Sequence, residues 1–293
     1  MIKAKTSLLC MKTSLMKWTT HPRVWSAFLI MTIFVLYTFD GLPELAKAYH
    51  TKITVWVLPL MLSTPVMVAM HGGMTTLLFC NAPFIDNHTP FLVARAGRKS
   101  YIIGQFLYIG VMAFIFTAFM LAVSILSILP SGTFASEWGL LKGLANGSIR
   151  AIEHGIELSA AVHPGIANIF TPLEATAISF LFIWASTTFM GTIILCFNTM
   201  TGKPTGIIAA GTVTFIAYFS AYTGRLAFGN GIIFFSPFSW SNIYTLSFSM
   251  TEIGASPSAT YALLCLAGLI IVLSIGSIIA FCKKDMNYPH WRD

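Results

Sequence analysis

Six long apolar segments limit what this chain of 293 residues can fold into. Their approximate positions are residues 24–39, 53–79, 101–129, 175–197, 204–222 and 261–282. A helix needs about 20 residues to cross the roughly 30 Å of hydrocarbon in a bilayer. The apolar residues run continuously and do not alternate, which favours helices over the strands of a membrane barrel. We therefore expect an all-α polytopic membrane protein in which residues 1–293 form one domain with six transmembrane helices.

Positive charge is concentrated on one side of this predicted bundle. With an even number of spans, both termini share that side with residues 81–100 and 198–203. It holds 12 of the 17 lysine and arginine residues: Lys3, Lys5, Lys12, Lys17, Arg23, Arg95, Arg98, Lys99, Lys203, Lys283, Lys284 and Arg292. The positive-inside rule then predicts a cell-membrane protein with both termini in the cytoplasm. The net charge of +7 fits the anionic lipids of the inner leaflet, so we expect membrane lipid and not nucleic acid as a partner.

Residues 1–22 form a basic leader that contains a near-repeat, with Lys-Thr-Ser-Leu at residues 5–8 and again at 12–15. Apolar side chains at helical spacing share one face of this segment: Ala4, Leu8, Met11, Leu15 and Trp18. The pattern predicts an N-terminal interfacial amphipathic helix on the cytoplasmic membrane surface, ending before Pro22. A disordered basic leader is the alternative.

Two segments are expected on the opposite, external side. Residues 130–172 are predicted to form an external loop with one or two amphipathic helices, broken near Asn146 and Gly147. Residues 225–258 are rich in aromatic side chains but contain Pro237 and a Gly-Asn-Gly sequence, so they are too interrupted for a seventh span. This pattern favours a re-entrant segment before the last span, with Trp240 and Tyr244 as interface anchors. A hydrophobic external cap is the alternative.

Residues 81–100 form a polar cassette between the second and third apolar segments. Pro83 and Pro90 disfavour helix in the residues before them, so a short helix or turn is expected between them. Arg95, Arg98 and Lys99 follow at the exit of the cassette. Such a segment cannot lie in lipid, and its cations predict a cytoplasmic loop.

The cassette and its surroundings resemble a known family of membrane proteins. The residues that carry the resemblance are Pro83-Phe84-Ile85-Asp86, Arg95-Ala96-Gly97-Arg98-Lys99, Tyr101 and Gly104-Gln105. Together with the amphipathic leader, the six spans and the broken segment before the last span, they resemble the permease subunit of a type-2 ABC exporter.

This resemblance implies a permease that dimerises with itself or a related chain and binds a separate ATP-binding subunit. The substrate would be amphipathic or hydrophobic, such as a peptide, an antibiotic or a lipid-like molecule. Residues 81–100 would then be the coupling loop, with contacts to the ATPase from Phe84, Asp86, Asn87, Phe91, Arg95 and Arg98. In this assignment Asp86 or Asn87 caps a short helix, and Phe84 and Phe91 enter a groove on the ATPase. Arg95 or Arg98 pairs with an acid on the ATPase or with another cytoplasmic segment. Alternatively, Arg95, Arg98 and Lys99 only anchor the third span at the headgroups.

Motifs for catalysis and metal binding are missing from the sequence. Gly202-Lys203-Pro204-Thr205 resembles the end of a phosphate loop, but Phe197 occupies the position of the required upstream glycine. The segment Glu153-His154-Gly155-Ile156-Glu157 could meet a metal on a helical face, but no further ligand accompanies it. We therefore expect a permease subunit without an ATPase site of its own, and neither a metal nor a cofactor.

His71 is the only histidine within a predicted span, which makes it a possible functional residue inside the membrane. The alternative is a neutral histidine bonded to a neighbouring helix. No lysine, arginine or carboxylate lies in the middle of a span, which weakens the case for an ion-coupled secondary transporter. That class stays an alternative function, as does a non-transporting membrane sensor or immunity protein.

Overall fold

The computed structural model describes residues 4–18, 21–85, 88–248 and 256–283 of the chain. The fold is mostly helical (77%). The helices in these ranges are α1 Ala4–Trp18, α2 Pro22–Phe39, α3 Gly41–Ala48, α4 Pro65–Phe79, α5 Thr89–Ala96, α6 Arg98–Ile128, α7 Leu140–Ala145, α8 Pro164–Ile169, α9 Pro172–Thr201, α10 Gly206–Ala221, α11 Thr223–Phe228 and α12 Ala259–Lys283. Two short parallel strands, β1 Ile53–Thr54 and β2 Gly132–Thr133, pair with each other.

Four helical segments of the described chain are long and apolar enough to cross a membrane. They are Pro22–Ala48, which joins α2 and α3, Arg98–Ser131, which extends α6 by one turn, and the helices α9 and α12. Helices α4 and α10 are apolar but have only 15 and 16 residues. At 1.5 Å per residue each covers about 23 Å, which is less than the hydrocarbon thickness.

The helix expected within residues 53–79 begins only at Pro65. Before it lie β1 and a 3₁₀ turn at Leu58–Leu60. Two prolines explain the late start, because Pro59 and Pro65 lack a backbone N–H and disfavour helix in the residues before them. Proline is well tolerated in the first turn of a helix, which is where Pro65 lies.

Helix α9 lies at the centre of the bundle, in contact with α4, α6, α10 and α12. In its most apolar stretch 67% of the residues are buried, against 17% for α12 at the periphery. Gly191 permits the close approach of its neighbours, since a Cβ there would lie 2.6 Å from Ile109 Cγ2 and 2.9 Å from Phe79 Cδ2. A larger side chain at this position would force α9 away from α4 and α6.

The leader forms the helix expected there, and Met11, Leu15 and Trp18 of the predicted apolar face pack against the core. Ser7 and Cys10 are buried against α6, and Gln105 Nε2 donates to Ser14 Oγ at 3.1 Å. Leu8, in the predicted apolar face, is 51% exposed. The small side chains of Ser7 and Cys10 lie closest to α6, because Gly104 lets the two helices approach closely.

Residues 130–172 contain short elements only, and α7 ends at Ala145, directly before the predicted break. Residues 223–245 contain α11 and three 3₁₀ helices, at Asn230–Phe235, Pro237–Ser241 and Ile243–Thr245. The expectation that Trp240 anchors the interface is wrong, because its side chain is 1% exposed and its Nε1 donates to Ile233 O at 3.0 Å. The interrupted backbone turns this indole toward the bundle.

Candidate functional site at the basic end of the bundle

The described residues that the charge pattern assigned to one side meet at one end of the bundle. Asn198 Nδ2, near the end of α9, donates to Cys80 O at 3.0 Å and to Ala82 O at 2.7 Å, after α4. Its Oδ1 accepts from Gly206 N at 2.7 Å, at the start of α10. Arg23, at the start of α2, donates to Cys80 Sγ at 3.0 Å. We call this region the basic end.

Every aspartate and glutamate in the described parts of the chain lies toward the opposite end, on α3, on the loops between α6 and α9, or at the ends of α2 and α9 that face them. The described cations of the basic end are Lys5, Lys12, Lys17, Arg23, Arg95, Arg98, Lys99, Lys203 and Lys283. The field at this end is therefore positive, and it favours anionic partners.

The cassette contains one helix, α5, but it begins at Thr89 and runs past Pro90 to Ala96, and so it does not lie between Pro83 and Pro90 as expected. Its bounds follow from the local sequence. Pro90 lies in its first turn, and Gly97 ends it with a φ of 83° while its N–H donates to Val93 O at 2.8 Å. Val93 is buried against the bundle, whereas Phe91 is 72% exposed and Arg95 is exposed. Residues four apart share a helix face, so Phe91 and Arg95 form one outward surface.

Phe84 lies differently from Phe91. Its ring is half-buried and packs edge-on against Tyr108, with 4.9 Å between the ring centroids. The backbone around it is also held, because Tyr101 Oη donates to Pro83 O at 2.8 Å. Phe84 therefore holds the cassette to α6, and it is Phe91 that presents a ring to solvent. Asp86 and Asn87, also assigned to the coupling loop, lie outside the described residues.

Arg98 connects the first turn of α6 to the end of α12. Its Nη1 donates to Cys282 O at 2.9 Å. The last carbonyls of a helix have no partner within the helix and carry partial negative charge, so a guanidinium there is favourable. The contact holds the start of α6 to the end of α12 at the basic end.

His71 lies deep in the bundle, at 0% exposure. Its Nε2 is 2.9 Å from Thr187 Oγ1 on α9. The imidazole stacks between two rings, with centroid distances of 5.2 Å to Phe238 and 6.5 Å to Phe116. Its Nδ1 has no hydrogen-bond partner. This geometry is that of an imidazole bonded to a neighbouring helix, and it ties α4 to α9 and to the 3₁₀ segment.

A cavity of about 390 Å³ at the basic end was not predicted from the sequence. Lys17, Arg23 and Lys203 line it, together with Trp18 and Asn81. These residues come from three distant parts of the chain, and only packing brings them together. The signal that the sequence contained was the excess of lysine and arginine on one side of the predicted bundle. The described residues contain no group of three or more His, Cys, Asp or Glu side chains arranged to hold a metal ion.

Comparisons of the chain with models of protein families, with curated proteins and with solved structures gave no match.

Proposed function

We propose that this chain is the membrane-spanning permease subunit of an ABC transporter, which exports an amphipathic or hydrophobic substrate. A separate subunit hydrolyses the ATP, and two permease chains, identical or related, enclose the substrate path. The observation that carries the proposal is the outward surface of α5, formed by Phe91 and Arg95 at the basic end. An exposed aromatic ring beside a cation is a typical anchor for a partner protein.

The connection between α5 and α6 supports a coupling role. Only Gly97 separates α5 from the 31-residue helix α6. The inner side of α5 is held by buried Val93, and Arg98 ties the start of α6 to α12. A displacement of α5 by a partner would therefore move two membrane helices, α6 and α12, and not only a loop.

The proposal includes six membrane crossings. In two of them the helix, α4 or α10, is shorter than the hydrocarbon thickness. Before α4, residues 57–62 are buried, although their backbone is not α-helical. Irregular backbone is tolerated at membrane depth when protein surrounds it. These residues would complete the crossing that α4 begins, and the buried 3₁₀ segment around Phe238 would do the same for α10.

The test is recovery of an ATP-hydrolysing partner with the tagged chain from gently solubilised native membranes. We expect the purified chain alone to have no ATPase activity and the co-purified complex to have it. Phe91→Ala should reduce recovery of the partner about tenfold, because truncation of a central aromatic contact costs about 2 kcal/mol or more in such interfaces. Phe134→Ala is the matched control, since Phe134 is 64% exposed at the opposite end.

Three outcomes would contradict the proposal: ATP turnover by the isolated chain, absence of any ATP-binding partner, or equal losses from both substitutions. Uptake or export driven by an ion gradient in vesicles that contain the chain alone would instead favour a secondary transporter. Absence of all transport by a well-folded chain would favour a sensor or immunity protein.

A further inference from the structure

The cavity at the basic end has the walls of an anion site. It opens between α1, α2, α4 and α9, and its volume of about 390 Å³ falls in the range typical of small-ligand pockets. Lys17, Arg23 and Lys203 line it, and none of the described lining residues is an aspartate or glutamate. Three cations in one concave site repel each other, so an anion bound between them lowers that repulsion.

Two of the cations are attached to ordered parts of the wall. Arg23 is half-buried at the start of α2, and its Nη1 contacts Cys80 Sγ at 3.0 Å. A cysteine sulfur is a weak acceptor, and this contact uses one of the five donors of the guanidinium. Lys203 lies in the turn between α9 and α10, where its backbone N–H donates to Thr201 Oγ1 at 3.2 Å. Arg23 is thus held at the cavity through its side chain, and Lys203 starts from an ordered turn at the cavity wall.

The aromatic residues beside the cavity indicate its position along the membrane normal. Trp18 lines the cavity and stacks on Trp25, with 6.0 Å between the ring centroids and 22° between the planes. Trp25 is 57% exposed. Tryptophans with one open face lie characteristically at the level of lipid headgroups. At that level phosphate is the abundant anion, and basic pockets between membrane helices bind it.

We propose that this cavity binds a phosphate group through Arg23, Lys17 and Lys203. Arginine supplies paired donors that match phosphate oxygens, and lysine supplies point charges. The phosphate belongs either to the headgroup of an anionic lipid or to a free phosphate in the cytoplasm, and the contacts are the same for both. The proposal goes beyond transport, and it does not depend on a partner ATPase.

The cations at this end also have a simpler explanation, since the positive-inside rule alone places them there. The two explanations differ in which cations matter. A topological role is shared by all the cations of this end, whereas a binding site depends on those that line the cavity. Lys12 and Lys99 are exposed cations that do not line it, and they provide a control of equal charge.

The experiment uses the full chain in a neutral detergent and compares two double variants, Arg23→Gln/Lys203→Gln and Lys12→Gln/Lys99→Gln. Native mass spectrometry follows binding of phosphatidylglycerol, and diacylglycerol with the same acyl chains serves as the lipid without phosphate. Inorganic phosphate is titrated into the protein and followed by calorimetry, and it is also added as a competitor of the lipid. The first variant should bind the phosphate-bearing ligand at least about tenfold more weakly, because each charge-assisted contact is worth about that factor. The second variant should bind it as the parent does.

Saturable binding of one phosphatidylglycerol that inorganic phosphate does not displace identifies a lipid headgroup. Saturable binding of inorganic phosphate, either with displacement of the lipid or without any saturable binding of the lipid, identifies a free phosphate. The proposal is overturned if neither probe binds saturably, if diacylglycerol binds as well as phosphatidylglycerol, or if both double variants lose affinity equally. The single variant Lys203→Gln keeps the test valid if the Arg23 variant misfolds. The Lys203 side chain is exposed, so its substitution should leave the fold intact. This variant should still weaken binding of the ligand severalfold.

Discussion

At the scale of single residues, His71 shows how one polar contact can organise a membrane bundle. The imidazole joins α4 to α9 through Thr187 and packs on Phe238 of the 3₁₀ segment. Lipid offers no alternative partner for these groups, so the three elements keep their relative positions as long as the contact persists. The geometry assigns His71 a role in holding the bundle together.

Thr187→Val should lower the free energy of unfolding by about 0.6 kcal/mol, and by no more than about 1.7 kcal/mol, the range measured for hydrogen bonds between membrane helices. Titration of the solubilised protein with a denaturing detergent measures this change. In the His71→Ala background the same substitution should cost nothing, because the partner is already absent. Thr192→Val is the control, since the buried Thr192 hydroxyl bonds only to Thr188 O of its own helix, at 2.8 Å. Unchanged stability together with lost transport in Thr187→Val would contradict a structural role.

At the scale of elements, residue patterns along the chain predicted helices better than the contacts between them. The helix in the leader and the broken segment before the last helix follow from prolines, glycines and charge, which act locally. The short helix of the cassette was expected before Pro90 and lies mostly after it. The close contact of α1 with α6 does not follow from local patterns, because it depends on Gly104, which is almost a hundred residues away. The cavity at the basic end could not be predicted for the same reason. The register of packed helices depends on contacts that no local pattern contains.

The contact between α1 and α6 provides a prediction for this scale. A Cβ at Gly104 would lie 2.7 Å from Cys10 Cβ and 2.9 Å from Ser7 O. Burial raises the pKa of the Cys10 thiol, which leaves less of the reactive thiolate at a given pH, so Cys10 should react slowly with iodoacetamide. Overpacking of this kind costs about 1–3 kcal/mol, so Gly104→Ala should speed alkylation of Cys10 by about five- to a hundredfold.

Peptide mapping after timed alkylation of the solubilised protein measures the rate at Cys10. Gly110→Ala is the control, because a Cβ at this second glycine of α6 would meet nothing within 4 Å. A thiol introduced by Thr13→Cys, on the exposed side of α1, gives the rate for an open site. If Cys10 reacts as fast as that thiol in the parent protein, α1 is not docked on α6 as described.

At the scale of the whole molecule, the distribution of charge and the packing of the helices agree. The fold gathers the cations of the leader, the cassette and the turn after α9 at one end, and it places the described carboxylates toward the other. Nothing in the packing of neutral helices requires this separation. A membrane does require it, since the translocation of positively charged loops is disfavoured. The basic end is therefore expected in the cytoplasm, and residues 130–172 outside.

Cysteine labelling tests this orientation in a background without native cysteines. The two probes are Lys99→Cys at the basic end and Glu153→Cys in the 130–172 loop, both at exposed positions. In intact cells a membrane-impermeant maleimide should label the Glu153 variant and leave the Lys99 variant unlabelled, because the reagent reaches only the outer surface. Permeabilised cells should label both, which establishes that both thiols react. Labelling of the Lys99 variant alone in intact cells would invert the orientation, and labelling of both would show that these two positions do not lie on opposite sides of a membrane.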